Sequence, residues 1–320
     1  NGDPTFEDVL AAAERIRDHV HRTPVMTSGA IDEIAGAGLH FKCENLQKVG
    51  AFKARGATNA VLLLDEDSAQ RGVATHSSGN HAAALAYAAS IRGIPAHVVM
   101  PSSAPPVKKA AVAGYGALIT ECEPTLEARE TTLEAVVART GATFIHAYDN
   151  PMVIAGQGTA ALELITAVPD LQMVMAPVGG GGLMSGTAIA VSGSRPDIVV
   201  WGAEPVGADD AYRSLRDGRI HPSVQPTTIA DGLLTSLSDR TFRILSERLE
   251  GILTVSEANI IRAMRLLWER MKIVVEPSGA VPLAAVLEHP DNFAGRRAGL
   301  IISGGNVDLD HLPWSNDSIR

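Results

Sequence analysis

An α/β fold with parallel sheets flanked by helices is predicted for this chain by three observations. Short apolar strands alternate with helical stretches at βαβ spacing from about residue 72 onward. Aromatics make up only 4% of the 320 residues while hydrophobics reach 46%, so Ala, Val, Leu, Ile and Gly must build the core. That composition suits helices layered on buried strands. Glycine-rich turns also fall at the carboxyl ends of strands, at Ser77 to His81, Gly179 to Gly182 and Ser303 to Asn306. So many βα units rarely share one open sheet, and two sheets are expected.

The elements follow in order. Thr5-Phe6-Glu7-Asp8 looks like a capping box, opening a helix that runs to about Val20. Thr23-Pro24 ends that region. Leu39 to Cys43 alternates and reads as a strand, and a helix follows from about Lys53 to Leu64. Strands are then expected at 72–75, 96–100 and 117–120, each followed by a helix: 80–90, after Ala104, and 125–139. A second series places strands at 173–176, 198–203 and 298–303, with helices from Gly182, over 256–271 and over 279–287. No low-complexity linker or periodic repeat marks a domain border.

Bulk properties exclude several functions. The net charge is -9, and no basic run is interleaved with aromatics, so nucleic acid is not an expected partner. The two cysteines, Cys43 and Cys122, are too few for a disulfide framework or a zinc cluster. A reducing cytoplasm is the natural location. No stretch reaches the ~20 apolar residues of a membrane span. The start, Asn1-Gly2-Asp3-Pro4, lacks an initiator Met and a signal-peptide pattern, which suggests a processed or trimmed chain.

The chemistry centres on Lys53, in Gly50-Ala51-Phe52-Lys53-Ala54-Arg55-Gly56-Ala57. A lysine among such neighbours can be desolvated and then holds its proton less tightly. The neutral amine forms a Schiff base with an aldehyde, and pyridoxal phosphate carries one. Alone, a surface lysine at a helix start is the commoner reading. Gly179, Gly180, Gly181 and Gly182 expose successive backbone N–H groups at a helix start, which suits a phosphate. The dinucleotide spacing fails at Met184 and Ser185, and the P-loop pattern fails at Thr187-Ala188, so a small phosphate ester remains. A tight turn packed on the sheet is the alternative. Ser77-Ser78-Gly79-Asn80-His81 offers hydroxyls and N–H groups at a second helix start, a seat for a carboxylate or an ordinary N-cap. Glu204 and Asp210, six apart, can hold a divalent cation with a backbone carbonyl, although solvated acids are the commoner reading of that spacing. All three glycine-rich segments lie at carboxyl ends of strands, where open α/β sheets bind ligands. One cleft can collect them with the lysine.

In sum these residues resemble the group of serine racemases, serine/threonine dehydratases and hydroxyaspartate dehydratases among fold-type II pyridoxal phosphate enzymes. The resemblance spans nearly the whole chain. It rests on Glu44-Asn45-Leu46-Gln47, Ala51-Phe52-Lys53, Ser77 to His81, Gly179 to Gly182, Glu276-Pro277-Ser278 and Ser303 to Asn306, in the family's order. It implies a two-domain, tryptophan synthase β-like architecture. Residues 1–71 plus 150–320 would form a large cofactor-binding domain and 72–149 a small inserted one, whose lid-like motion excludes water.

By the same resemblance Lys53 would carry the cofactor and later remove the α-proton. Phe52 would pack near the ring, Asn80 would bond the ring hydroxyl, Gly179 to Gly182 would cradle the phosphate, and Ser303 would face the pyridine nitrogen. Glu276 joins this cofactor set. Ser77, Ser78, Gly79 and His81 would seat the substrate carboxylate, with Ser78 also matching the second acid/base of the racemases. Arg129 matches an arginine that organises the closed site. Glu204, the Ala208 carbonyl and Asp210 match the family's site for Mg²⁺, Ca²⁺ or Mn²⁺. The expected activity is β-elimination from β-hydroxyaspartate, L-threonine or L-serine to a keto acid and ammonia, in a homodimer. Racemisation and, more remotely, β-replacement are the competitors on this scaffold, and a non-catalytic phosphate-ligand sensor is the rival of another class. Gly-Ala-Phe-Lys, with residues 304–310 and Leu312-Pro313-Trp314, looks closest to bacterial β-hydroxyaspartate dehydratases. A second substrate carboxylate needs a cationic partner, for which Arg129 and Arg55 are the nearest candidates.

Overall fold

The computed structural model describes residues 2–314. Its elements in chain order are α1 (Phe6–Ile16), β1 (Val25–Met26), α2 (Gly29–Ala35), β2 (Gly38–Cys43), α3 (Lys53–Leu62), α4 (Glu66–Arg71), β3 (Val73–His76) and α5 (Asn80–Arg92). Then come β4 (Ala96–Pro101), α6 (Pro106–Gly114), β5 (Leu118–Cys122), α7 (Leu126–Thr140), β6 (Thr143–Phe144), α8 (Pro151–Ala167), β7 (Met173–Pro177), α9 (Gly182–Ser194) and β8 (Val199–Pro205). The last are α10 (Asp210–Asp217), α11 (Asp239–Arg248), β9 (Gly251–Val255), α12 (Glu257–Leu266), α13 (Pro277–Glu288) and β10 (Arg297–Ile302).

Two sheets form, as the number of βα units required. The larger has the order β1-β2-β10-β7-β8-β9 and the smaller β5-β4-β3-β6. All pairs are parallel except β1 with β2, which is antiparallel and makes the larger sheet mixed at its edge. Val174 and Ala176 of β7 face a cluster built with α1, α8, α9 and α11, whereas Met173 and Met175 face one built with α2, α12 and α13. Both faces of the larger sheet are therefore covered, as parallel strands demand. In the smaller sheet Val73 and Val98 pack with α3 and α5, and Ala74 and Val99 with α7. No helix among the described residues is long and apolar enough to cross a membrane.

Two expectations needed revision. The Thr5–Asp8 capping box forms, yet α1 stops at Ile16 rather than near Val20. Its buried stripe, Val9, Ala12 and Ile16, ends there, and the next two residues, Arg17 and Asp18, are exposed. Helix α8, unmarked by periodicity, is buried on nearly every side from Val153 to Ala161, so no polar face writes a 3.6-residue rhythm. It crosses α9 so closely that a Cβ on Gly158 would stand 2.6 Å from the Gly186 carbonyl oxygen.

Candidate active site

Three loops leave the carboxyl ends of β3, β7 and β10 and meet the start of α3 around one cavity of about 610 Å³. Its wall includes Phe52, Lys53, Ser77, Ser78, Gly79, Asn80, His81, Arg129, Gly179 to Gly182, Glu276 and Ser303. The Lys53 loop is stitched to the loop after β10. Phe52 N–H donates to the Ser303 carbonyl at 3.0 Å, Gly305 N–H to the Gly50 carbonyl at 2.9 Å, and Asn306 Nδ2 to the Val49 carbonyl at 2.7 Å. Val49 is held in the left-handed region at φ 56°, an uncommon state for a β-branched residue that these bonds sustain.

Lys53 Nζ donates to the Ala147 carbonyl at 2.9 Å and lies 5.1 Å from the Phe52 ring centre. Burial lowers its pKa to about 8, against the opposing pull of Glu276. The amine thus keeps a substantial neutral fraction near neutral pH, which nucleophilic addition to an aldehyde needs. Burial also pushes His81 down to about 3 and His146 to about 4. Both imidazoles are neutral at working pH. His81 Nε2 meets the Ile145 carbonyl at 3.0 Å, so Nε2 carries the hydrogen and Nδ1 the lone pair.

Asn80, at the start of α5, donates through Nδ2 to Glu276 Oε1 at 3.0 Å and accepts from Asn306 Nδ2 at 2.9 Å. Asn306 N–H also donates to Glu276 Oε2 at 3.0 Å. This triangle ties the smaller sheet's loop to the larger sheet. Glu276 is only 4% exposed, and burial raises its pKa to about 7 despite the bonds that favour the carboxylate. Between its ordinary value of 4.5 and about 7 the folded chain holds a proton that the unfolded chain has lost. This group's contribution to stability therefore falls as pH rises through that window. Glu276→Gln is expected to raise Tm relative to the parent at pH 8 and to change it little at pH 5. An equal shift at both pH values, in parallel thermal melts, would contradict this origin.

The tetraglycine loop leaves no room for side chains. A Cβ on Gly180 would fall 2.4 Å from the Tyr148 ring, one on Gly182 2.8 Å from Tyr148 Cβ, and one on Gly181 2.8 Å from Leu237 Cδ2. Gly181 also needs φ 84°, open to glycine without strain. The result is bare backbone N–H groups at the N-terminus of α9, the donor set a phosphate requires. With a lysine amine of lowered pKa in the same cavity, the residues fit pyridoxal phosphate.

Glu204 lies near the end of β8 and Asp210 starts α10, outside the cavity wall. Glu204 is fully buried and accepts from the N–H groups of Ala211 and Tyr212 at 3.2 and 2.8 Å. Burial raises its pKa well above 4.5 and that of Asp210 to about 6. Both Asp210 carboxylate oxygens are buried without a hydrogen-bond partner. Among the described residues no three His, Cys, Asp or Glu side chains gather to hold a metal. Buried carboxylate oxygens of this kind suit a cation.

Arg55 does not serve the cavity. It is fully buried, with its guanidinium divided between Glu44 and Glu163, and cannot reach a substrate carboxylate. The cavity also contains residues that periodicity gave no sign of. His146 and Tyr148 follow the two-residue strand β6, too short to register as an alternating pattern. Their rings stack edge to face at 4.5 Å, and Tyr148 covers the glycine loop. Lys108 on α6 reaches across to Asp231 at 2.8 Å, joining opposite walls of the cavity.

A lysine amine and a phosphate cradle at the junction of two open α/β sheets define a pyridoxal phosphate enzyme. The family model for pyridoxal-phosphate dependent enzymes matches residues 16–304, and the chain belongs to that family. It is 55% identical over 312 residues to the β-hydroxyaspartate dehydratase of Paracoccus denitrificans (strain Pd 1222), across 98% of this chain and 99% of that protein. The crystal structure of serine racemase from Dictyostelium discoideum matches with a TM-score of 0.92 at 51% identity, covering 96% of this chain and 99% of that one. A pyridoxal 5'-phosphate-dependent aspartate racemase matches with a TM-score of 0.90 at 38% identity, covering 98% and 99%.

Proposed function

We propose that the chain is a hydroxyaspartate dehydratase that eliminates water from a β-hydroxy amino acid and releases a keto acid and ammonia. One observation carries the choice of a dicarboxylic substrate. Three basic side chains of lysine or arginine line the cavity: Lys53, Lys108 and Arg129. Lys53 is taken by the chemistry, and Lys108 is neutralised by Asp231 at 2.8 Å. Arg129 has no carboxylate within ion-pair distance among the described residues; its Nε donates only to the Thr125 carbonyl at 3.3 Å. A fork-shaped guanidinium without an acid partner at a cavity wall is suited to a second carboxylate. The 55% identity to a β-hydroxyaspartate dehydratase supports the same substrate.

When bound, pyridoxal phosphate would supply the electron sink that acidifies the substrate's α-hydrogen. The N–H groups and hydroxyls of Ser77, Ser78 and Gly79 hold the α-carboxylate, and Arg129 holds the β-carboxylate. Phe52, Asn80 and Ser303 would hold the cofactor ring, and Gly179 to Gly182 would bind its phosphate. A neutral hydroxyl such as that of Ser303 would not keep a pyridine nitrogen protonated, which suits elimination over transamination. Lys53 Nζ takes the α-proton, breaking the Cα–H bond. The Cβ–O bond then breaks as the Cα–Cβ double bond forms, the Ser78 hydroxyl gives the departing oxygen its proton so that water leaves, and the proton taken up by Lys53 is released to restore the Ser78 hydroxyl. The released enamine tautomerises and hydrolyses.

Racemisation is the second reading, supported by Ser78 sharing the cavity with Lys53 and by the serine racemase likeness. Arg129→Met separates the readings. It should lower kcat/KM for hydroxyaspartate by about 10–100-fold, a loss of about 1.5–3 kcal/mol for a charge-assisted bond, and leave L-serine turnover nearly unchanged. Equal losses on both substrates would sink the dicarboxylate assignment. We further propose Glu204, the Ala208 carbonyl and Asp210 as a site for Mg²⁺, Ca²⁺ or Mn²⁺. EDTA and Asp210→Ala should each lower turnover, with Mg²⁺ restoring the chelated parent but not the variant. Indifference to both treatments would remove the cation. Residues 72–149 are proposed as the small domain, and a cytoplasmic homodimer as the working state.

A further inference from the structure

Arg55 sits two residues along α3 from Lys53, yet it is turned away from the cavity and fully buried. Nε and Nη2 donate to the two oxygens of Glu44 at 2.7 and 2.8 Å. Nη1 and Nη2 donate to the two oxygens of Glu163 at 2.8 and 2.9 Å, and Nη1 also reaches Thr159 Oγ1 at 3.1 Å. Lys42 Nζ ties Glu163 Oε2 and the Thr23 carbonyl at 2.6 Å each, and Thr23 Oγ1 donates to Glu44 Oε1 at 2.6 Å. Two cations and two anions thus join β2, the turn after it, α3 and α8. Helix α3 has no side-chain N-cap. Its first turn is held instead by this network and by Gly56 N–H donating to Gln157 Oε1 at 3.1 Å.

We propose that Arg55, clamped by Glu44 and Glu163, is the positioning residue for Lys53: it fixes the first turn of α3 and hence the point from which the lysine amine works. The inference rests on Lys53 being the cofactor lysine. Two features favour geometry over electrostatics. The quartet's charges cancel, so it exerts little net field on the amine, whose pKa is lowered by burial and pulled back up only by Glu276. A well-packed apolar cluster would often be as stable as buried charges, but it would not hold the backbone by two bidentate forks.

Arg55→Lys keeps the charge and loses the fork. In the full-length enzyme loaded with pyridoxal phosphate, kcat should fall about 10–100-fold, the scale of an ångström-level misplacement, while KM stays within about twofold. Cofactor affinity, titrated separately with pyridoxal phosphate, should also fall. A lower Tm with unchanged kcat and cofactor affinity would make the role structural only and overturn the proposal. Should Arg55→Lys fail to fold, Glu163→Gln removes one charge at the partly exposed end of the network, where Glu163 is 22% exposed. The same drop in kcat at steady KM is then expected, smaller in size, and an unaltered kcat overturns the proposal. Borohydride reduction of the parent enzyme and peptide mapping isolates the premise. Cofactor found on another lysine overturns the role of Lys53 itself, and cofactor on Lys53 with unaffected variants overturns only that of Arg55.

Discussion

Lys53→Ala is expected to abolish keto-acid release and the near-visible absorbance of cofactor bonded to a lysine. Its proton-transfer role alone is worth about 10²–10⁴-fold in rate. Loss of the covalent attachment adds to that. The chain should nevertheless fold. Nζ makes a single hydrogen bond, to Ala147, and stands at the cavity wall rather than in the packed core. A folded variant with no turnover and no absorbance band is therefore the expected outcome, checked by circular dichroism, absorbance and a coupled keto-acid assay. Retained turnover would mean that another amine carries the cofactor.

Gly180→Ala should weaken cofactor binding without touching any reacting atom. The new methyl would stand 2.4 Å from Cδ1 and Cγ of Tyr148, so loop or ring must move. Tyr148 cannot yield easily, because its ring is packed against His146 and its backbone N–H is bonded to His146 Nδ1 at 3.3 Å. Overpacking of this kind costs about 1–3 kcal/mol, or about 5–150-fold in affinity if it falls on the bound state. Titration with pyridoxal phosphate measures it. Adding Tyr148→Ala should recover part of the loss by removing the obstacle. No recovery would show that the glycine is required for another reason.

Much of the site was legible because its parts are local. Lys53, Ser77 to His81, Gly179 to Gly182 and Ser303 each sit in a short motif at an element boundary, where glycine and small polar residues have a definite backbone use. The parallel sheets were legible because buried strands write short apolar runs between helices. What stayed hidden depends on distant partners. Arg55 lies in the same motif as Lys53 and looked equally able to meet a substrate. Its fate is decided by Glu163, 108 residues away. Tyr148 and Lys108 carry no motif, and Lys108 belongs to the cavity only because Asp231 stands opposite it. Helix α8 was invisible because burial on all sides erased its amphipathic rhythm.

Keto-acid release by the purified enzyme from each β-hydroxyaspartate isomer, L-threonine and L-serine, followed by chiral analysis of the residual amino acids, tests the proposed function most directly. Oxaloacetate from one hydroxyaspartate isomer, formed well above pyruvate and 2-oxobutyrate, is the predicted result. Absence of keto acid from every substrate, with D-serine accumulating from L-serine, would contradict it and make the chain a racemase.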